Sequence, residues 1–197
     1  NLVLEDLSRL DTEKLSMTPE ELEYFRLQLR ALRAWFHLYL FDGYRNIIIY
    51  KSAVVDDAKS LTQSSPKETF EWIEKECLEC LDKLPAKTST RGNAERQGQF
   101  NKAAVATMLV RLYLNAEKYI GVPRYQDCIA MAKRIRGGEF GNYSIEPTWD
   151  KVFDYTNETS NEVILAWPSS YGGTHWHYDS SWNTIYWRIL PIRGQLN

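Results

Sequence analysis

The side chains best suited to ligand chemistry form a dense aromatic group towards the end of the sequence. The group comprises Tyr171, Trp176, Tyr178, Trp182, Tyr186 and Trp187. Aromatic rings can cover the flat C–H faces of sugar rings, and the neighbouring His, Asp and Asn side chains can bond to sugar hydroxyl groups. We predict that Trp176 and Trp182 contact a ligand or partner, followed by Tyr178 and Trp187. The alternative is that these rings only pack the surrounding loops onto the rest of the protein.

A second candidate is a metal site at Cys77 and Cys80, which form a C-x-x-C pair. Together with His175 and His177 they have the ligand types that zinc prefers, but the two pairs are far too widely separated for a zinc finger. Both cysteines lie near an apolar helical stripe, where a free thiol behaves as a small apolar side chain. We therefore expect no metal and no cofactor, and we predict that Cys77, Cys80 and Cys128 are buried and unbonded.

Charged residues supply two further hypotheses, and neither predicts an enzyme. Helical spacing relates four basic side chains, Arg26, Arg30, Arg33 and His37. This pattern is more typical of an ion-pair set or a solvated face than of a cationic strip facing a ligand. The adjacent residues Asp56 and Asp57 lack the separation across a cleft that glycosidase carboxylates need. The sequence also contains no nucleophile elbow, Walker loop or H-E-x-x-H motif, so we predict a non-enzymatic binding protein without catalytic residues.

Composition narrows the classes of partner. The 197 residues include 24 basic and 26 acidic side chains, a net charge of −2, which gives no electrostatic reason to expect nucleic acid or an anionic membrane as a partner. The apolar fraction of 44% suffices for one core. The longest apolar runs, at 47–50 and 103–110, are far too short to cross a bilayer. The aromatic content of 13% is high, as in sugar-binding and interface surfaces.

Four helices are predicted, and capping signals place the first two. The first starts at Thr18, where Glu21 completes a capping box, and ends near Asp42. Its apolar stripe consists of Leu22, Phe25, Leu29, Leu32, Phe36 and Leu40. The second runs from Ser65 to Pro85. Its apolar stripe consists of Phe70, Ile73, Cys77, Leu81 and Leu84.

The third and fourth predicted helices form a tight hairpin. The third covers about 100–119 and is apolar almost all round, which predicts a helix buried between others. The fourth follows the turn at Gly121 and ends at Gly137. Its apolar face consists of Tyr125, Ile129, Ala132 and Ile135.

The remaining segments have few periodic apolar positions. Residues 1–17 are expected to be irregular or helix-ending. Short extended segments are predicted at 47–50 and 163–167. The rest of 139–197 is rich in Gly, Pro and aromatic residues and is expected to form loops.

Three segments resemble the SusD/RagB family, the nutrient-binding surface lipoproteins of Bacteroidetes. Residues 21–43 look like the family's long helix, in which an acidic and aromatic start leads to Arg-Ala, an aromatic run and a Gly turn. Residues 101–116 resemble its Ala-rich helix ending in Arg-x-Tyr-Leu, and residues 143–165 resemble a Trp/Phe segment before an Asn-Glu-x-Ile strand. Order and spacing agree over about 18–167, but Asn46-Ile47-Ile48-Ile49 departs from the Val-Pro-Leu-like segment common in the family.

The resemblance implies a mainly α fold of tetratricopeptide-like helical pairs with irregular, aromatic-rich loops. Residues 1–197 would then be a fragment of one SusD-like domain, with helical hairpins at about 18–136 and a loop-rich, ligand-facing part at about 137–197. It further implies a surface glycan-binding protein at the cell outer membrane, which captures oligosaccharides or polysaccharides for a SusC-like TonB-dependent transporter. The chain begins at Asn1 without a start Met or signal region, so we expect the family's N-terminal lipid anchor to lie outside it.

Other functions remain open from the sequence. A protein of the same family can bind peptides instead of glycans, although the dense Trp and Tyr residues favour sugars. A helical-repeat scaffold that only docks other proteins would bury the aromatic loops or turn them towards a protein partner. A glycosidase would need two carboxylates facing each other across a cleft.

Overall fold

The computed structural model describes residues 1–12, 14, 16–54, 61–87, 98–153, 157 and 160–166. Within these residues the chain forms six α-helices: α1 (Leu2–Arg9), α2 (Pro19–Tyr44), α3 (Pro66–Lys83), α4 (Lys102–Leu114), α5 (Ala116–Ile120) and α6 (Tyr125–Arg136). A 3-10 turn covers Trp149–Val152. The described residues contain no β-strand, and none of their helices is long and apolar enough to cross a membrane.

Two capping boxes fix where α2 and α3 begin, as the sequence predicts. At α2 the Thr18 hydroxyl accepts a hydrogen bond from the Glu21 N–H at 3.1 Å, and the Glu21 carboxylate accepts one from the Thr18 N–H at 2.8 Å. Ser65 and Glu68 repeat the arrangement at α3, with distances of 3.2 and 2.8 Å. Each cap satisfies a backbone donor that the helix leaves free, and contributes about 1 kcal/mol.

α3 and α4 form the interior of a helical stack. α2 packs on α3, α3 on α4, and α4 on α6. The fully buried residues of α4 are Ala103, Val105, Ala106, Leu109 and Leu112. The small side chains allow neighbouring helices to approach closely, and the larger ones fill the space between them. The predictions of a central buried helix and of its pairing with the next long helix are confirmed.

α4 is shorter than the predicted helix at about 100–119. Asn115 separates it from α5, with φ −96° and ψ 2°. The Asn115 side-chain amide donates to the Arg111 carbonyl at 2.9 Å. A side chain that bonds a nearby carbonyl competes with the helix's own hydrogen bonds, so the predicted helix is divided into two.

The buried face of α2 is not the predicted one. Apart from Leu22, the predicted stripe is exposed or only partly buried. The buried residues of α2 are Leu22, Leu27, Ala31, Ala34, Leu38 and Phe41. From Leu27 onwards the buried set recurs at steps of three and four, as the predicted stripe does, so periodicity alone does not distinguish them. The face with Ala31 and Ala34 is buried because its small side chains let the neighbouring helices come close.

α6 also buries a different face from the predicted one. Cys128 and Met131 are buried, and Ile135 packs partly against the core. Tyr125 and Ile129 of the predicted stripe are exposed, as is Ala132. The thiol and the thioether act here as apolar side chains, which a stripe drawn through aliphatic and aromatic residues misses.

The shorter segments agree only in part with their predictions. Residues 1–17, expected to be irregular or helix-ending, include α1, which ends at Arg9. α1 is held to α2 where the Arg26 guanidinium donates a hydrogen bond to the Leu7 carbonyl at 3.0 Å. The segments 47–50 and 163–166 form no strand, and residue 167 lies outside the described residues. No strand lies beside either segment among the described residues. Ile47 is buried in the core, and its carbonyl accepts a hydrogen bond from the Ser64 N–H at 2.8 Å.

Replacing Ala106 by Leu should overpack the centre of the stack. Ala106 is completely buried, so added methylene groups must displace its neighbours, at a cost of about 1–3 kcal/mol. The matched control is Ala130→Leu on the exposed side of α6, which should leave stability nearly unchanged. Urea denaturation of both variants measures the difference, and equal stability of the two would show that α4 is peripheral.

Candidate ligand-binding surface

The four aromatic residues predicted to bind ligand, Trp176, Trp182, Tyr178 and Trp187, lie outside the described residues, and their role stays a prediction. The described chain presents two other large aromatic rings to solvent in the segment after α6.

These rings belong to Trp149, which is 78% exposed, and Phe153, which is 75% exposed. Their centroids lie 5.7 Å apart with an angle of 60° between the planes. Large exposed rings are unfavourable in water unless something covers them, so the pair defines a candidate ligand-binding surface, the aromatic platform.

The segment that carries the platform leaves α6 through a close approach at Gly141. The Lys87 N–H donates to the Phe140 carbonyl at 3.0 Å, which brings the end of the α3 region against the loop. Gly141 has φ +120°, and a Cβ there would lie 2.5 Å from the Lys87 Cβ. Both the backbone conformation and the contact require glycine at this position.

Tyr143 anchors the loop to the helical stack. The Asn101 side-chain amide donates to the Tyr143 hydroxyl at 3.2 Å, and the Lys87 ammonium lies 4.4 Å from the centre of the Tyr143 ring. Lys87 also donates to the Asn161 side-chain oxygen at 3.3 Å, which ties down the far end of the loop. Burial raises the pKa of Tyr143, so its hydroxyl stays protonated at neutral pH.

Two acidic residues, Glu146 and Glu162, join the two ends of the loop through hydrogen bonds. The Glu146 carboxylate accepts from the Ser160 hydroxyl at 2.7 Å and from the Asn161 N–H at 3.1 Å. The Glu162 carboxylate accepts from the Glu146 N–H at 2.9 Å, and the Glu162 N–H donates to the Ser160 hydroxyl at 3.2 Å. Hydrogen bonds to carboxylates are among the stronger ones, so residues 146 and 160–162 are held together on either side of the platform.

The platform's immediate neighbours are polar and charged. Asp150 and Lys151 lie within the 3-10 turn that begins at Trp149, and both are exposed. A hydrogen bond from the Thr148 side chain holds the pKa of Asp150 below its ordinary value, so the carboxylate is an acceptor at neutral pH. Two ring faces beside a hydrogen-bond acceptor and donor are the groups that a sugar ring and its hydroxyls require.

Sequence reasoning used Trp149 and Phe153 only as part of the family resemblance and missed them as candidate site residues. The criterion used for residues 171–187, aromatic residues in a polar segment without periodic apolar positions, also selects them. Two aromatic residues at i and i+4, Trp149 and Phe153, stand in a short polar segment without periodic apolar support. Rings in such a segment are difficult to bury, so they are candidates for contact with a ligand.

The basic stripe of α2 faces other parts of the protein and not a ligand. The Arg30 guanidinium donates two hydrogen bonds to the Glu76 carboxylate, at 2.9 and 3.1 Å, and one to the Glu79 carboxylate at 2.6 Å. Arg33 donates to the same Glu76 carboxylate at 3.1 Å. His37 bonds to the Arg33 carbonyl at 2.8 Å, and burial lowers its pKa. The interpretation of these residues as an ion-pair set is confirmed.

An open cleft of about 1130 Å³ lies at the start of α2 and is a second candidate site. Its lining includes Tyr24, Phe25 and Gln99, together with Glu23 and Lys83. The Tyr24 hydroxyl donates to the Gln99 side chain at 2.6 Å, and the Lys83 ammonium contacts Glu23 at 3.3 Å. Because these polar groups already bond to one another, a ligand would have to displace those contacts, and the cleft ranks behind the aromatic platform.

The cysteines are buried and unbonded, as predicted. Cys77, Cys80 and Cys128 are free thiols in the core. Burial raises the pKa of Cys77 and raises that of Cys80 to about 11, so both stay protonated and unreactive at neutral pH. No group of three or more metal-ligating side chains occurs within the described ranges, and His175 and His177 lie outside them.

Comparison with known proteins identifies the fold. No protein-family model and no curated protein matches the chain. Among solved structures, a laminarin-binding SusD-like protein is similar with a TM-score of 0.68 and 21% identity, over 84% of this chain and 34% of that one. The surface glycan-binding protein A of Bacteroides uniformis gives a TM-score of 0.66 and 16% identity, over 82% of this chain and 34% of that one.

A third structure is the surface glycan-binding protein A of Bacteroides thetaiotaomicron in complex with laminarihexaose. It has a TM-score of 0.58 and 20% identity, over 76% of this chain and 29% of that one. The chain therefore has the SusD-like fold, and the predicted mainly α class of tetratricopeptide-like helical pairs is confirmed. It spans about a third of the length of these structures.

The close contact between Gly141 and Lys87 predicts that Gly→Ala substitution changes stability in opposite directions at Gly141 and at Gly43. Gly141→Ala should destabilise the protein by about 2 kcal/mol, because the new methyl group meets Lys87 and the positive φ disfavours Ala. Gly43→Ala, near the end of α2 with no atom within 4 Å of the added methyl group, should stabilise by up to about 1 kcal/mol. Thermal unfolding of both variants measures the signs, and similar melting temperatures would contradict the close approach at Gly141.

The Glu76 network predicts a specific dependence of stability on pH. Burial alone would raise the pKa of Glu76, but hydrogen bonds and positive charge from Arg30 and Arg33 outweigh burial and leave the pKa below its ordinary 4.5. A depressed folded-state pKa stabilises the protein above the unfolded-state value, and this stability is lost as the carboxylate becomes protonated. Glu76→Gln should therefore lower the free energy of unfolding at pH 7 by about 3 kcal/mol.

The difference between wild type and Glu76→Gln should narrow as the pH falls below about 4.5, the ordinary Glu pKa. Urea denaturation across a pH series measures it. The control is Glu71→Gln, since Glu71 forms an exposed pair with Lys67 that contributes little. A gap that stays constant down to pH 3 would show that the Glu76 carboxylate does not supply the stability.

Proposed function

We propose that the complete protein is a cell-surface glycan-binding protein that captures oligosaccharides without catalysing their breakdown. The observation that carries the proposal is the aromatic platform, Trp149 and Phe153, exposed on a loop that several hydrogen bonds hold to a SusD-like helical stack. A binding surface of this kind gains affinity from being ordered before the ligand arrives. The rings supply apolar contact, and Asp150 and Lys151 supply an acceptor and a donor for sugar hydroxyls.

The names of the similar structures suggest which glycans to test first. One is a laminarin-binding protein and another was solved with laminarihexaose. Both share the fold of this chain, although at 20–21% identity the fold is all that the likeness establishes. Laminari-oligosaccharides are therefore the first probes for the complete protein, followed by oligosaccharides of other linkages.

The proposal includes a transporter partner and a location, which follow from the family resemblance. The bound oligosaccharide would pass to a SusC-like TonB-dependent transporter in the outer membrane. An N-terminal lipid anchor outside this chain would hold the protein at the cell surface. Copurification of the anchored full-length protein with such a transporter tests this part of the proposal separately from glycan binding.

Peptide binding is the second candidate function, and one observation favours it. Ile145, in the same segment as the platform, is 87% exposed. An aliphatic side chain offers nothing to a sugar hydroxyl, whereas it suits the apolar side chains of a peptide. A panel that includes peptides as well as glycans separates the two functions.

Removing either ring of the platform should weaken glycan binding. In the full-length protein, Trp149→Ala and Phe153→Ala should each reduce the affinity for the best-binding oligosaccharide about tenfold or more, as truncation of central aromatic contacts does. Titration calorimetry measures the affinity, and circular dichroism checks that each variant is folded. Trp176→Ala and Trp182→Ala belong in the same series, because they carry the sequence-based prediction.

The matched control is Tyr44→Ala, which removes an equally exposed ring at the end of α2 and should leave the affinity unchanged. Loss of affinity in Trp149→Ala and Phe153→Ala but not in Tyr44→Ala supports the platform as the site. Unchanged affinity in both platform variants would exclude it. Binding of peptides but of no glycan in the panel would replace the proposed function with its alternative.

A further inference from the structure

Lys87 lies just beyond α3 on main chain that the core holds in place. The C-cap of α3, Leu84, is buried, and the Pro85 carbonyl after it accepts a hydrogen bond from the Lys102 N–H at 3.0 Å, at the start of α4. The Lys87 N–H in turn donates to the carbonyl of the buried Phe140 at 3.0 Å. Lys87 is therefore a fixed point from which a side chain can reach the loop that carries the aromatic platform.

The Lys87 ammonium contacts both stems of that loop, residues 143–146 before the platform and 160–162 after it. It lies 4.4 Å from the centre of the Tyr143 ring and donates a hydrogen bond to the Asn161 side-chain oxygen at 3.3 Å. A cation over an aromatic face is attracted by the negative charge of that face, and the attraction is stronger where water is excluded. One side chain thus joins the two stems to the end of α3.

Asn161 connects the Lys87 contact to the hydrogen bonds that close the loop. Its N–H donates to the Glu146 carboxylate at 3.1 Å, and its carbonyl accepts a hydrogen bond from the Ser144 N–H at 3.4 Å. The oxygen that Lys87 contacts belongs to the same residue, so the three hydrogen bonds share one position. Loss of the Lys87 contact is therefore expected to loosen both stems.

The Lys87 ammonium makes these contacts without an acidic partner. Within the part of the chain that the structure describes, no ion pair of a lysine involves Lys87. Burial lowers the pKa of Lys87 below its ordinary value, because a charge held away from water is costly. Such a charge must be compensated by its other contacts. Since those contacts are to the loop stems, the arrangement favours a role in ordering the loop over a role in stabilising the helical core.

We propose that Lys87 is a positioning residue for the aromatic platform, ordering the loop before a ligand arrives without contacting the ligand itself. This inference rests on the proposed glycan-binding function. A loop that is ordered in advance does not have to lose its conformational freedom on binding. Where only a fraction of the molecules has the ordered loop, the apparent affinity falls in proportion to that fraction.

Replacing Lys87 by Met keeps the length of the side chain and removes its charge. In the full-length protein, Lys87→Met should weaken oligosaccharide binding by about tenfold, the equivalent of one cation–π contact together with one hydrogen bond. In the ligand-free protein, hydrogen–deuterium exchange should become faster in peptides covering 143–162 and stay unchanged in α3 and α4. Lys87→Arg keeps a cation that can lie over Tyr143, so it should restore most of the affinity and the slower exchange.

The matched control is Lys67→Met, at an exposed lysine of α3 whose ion pair with Glu71 contributes little. It should change neither the affinity nor the exchange of 143–162. If Lys87→Met does not fold, Tyr143→Leu provides the same comparison, because it removes the ring beneath the ammonium and leaves Lys87 in place.

Three results would overturn the positioning role. The first is unchanged exchange of 143–162 in Lys87→Met. The second is weaker binding by Lys87→Met without faster exchange, which would show that Lys87 contacts the ligand directly. The third is faster exchange with unchanged affinity. If the wild-type protein binds no oligosaccharide, the proposed function fails, and the exchange of the ligand-free variants alone decides whether Lys87 orders the loop.

Discussion

The burial of α4 is the constraint on which the rest of this structure depends. Its Ala and branched residues are covered by α3 on one side and by α6 on another, and only a narrow stripe of Thr107, Arg111 and Leu114 is exposed. A helix with so little polar surface gains most of its stability from its neighbours, since its own propensity contributes little. The neighbouring helices are consequently held in fixed positions, and the loops attached to their ends are positioned with them.

The candidate ligand-binding surface depends on this core through a few residues at the helix ends. Asn101 accepts the Ala104 N–H at 2.9 Å as the N-cap of α4, and the same side chain donates to Tyr143 in the loop. Lys87, just beyond α3, contacts Phe140, Tyr143 and Asn161. Binding sites are often placed on loops that a rigid scaffold positions, and here two residues beside the core perform that positioning. The aromatic platform is thus tied to the stack although neither of its rings contributes to the core.

Local signals correctly predicted where α2 and α3 begin, and the predicted apolar stripe of α3 is the buried one, whereas the buried faces of α2 and α6 were predicted wrongly. Thr18 with Glu21 and Ser65 with Glu68 define helix starts within four residues, so neighbouring sequence suffices. The choice between the two apolar sides of α2 depends on which helices pack there, and periodicity carries no information about that. The same limit applies to the site, because the loop that carries Trp149 is held by contacts at residues 87, 101 and 160–162. Local sequence around Trp149 carries no information about those contacts. The predicted ligand residues at 171–187 lie outside the described residues, and their role remains a prediction.

The most direct test of a glycan-capture surface on this scaffold is hydrogen–deuterium exchange of the full-length protein with and without a bound oligosaccharide. The account predicts slowed exchange in peptides covering 143–162, and in those covering 171–187 if the sequence-based prediction also holds. It predicts no change in α3 or α4, whose amides are already protected by burial. Slowed exchange confined to the cleft at Tyr24 and Gln99, or saturating glycan binding without any change at 143–162, would contradict the account.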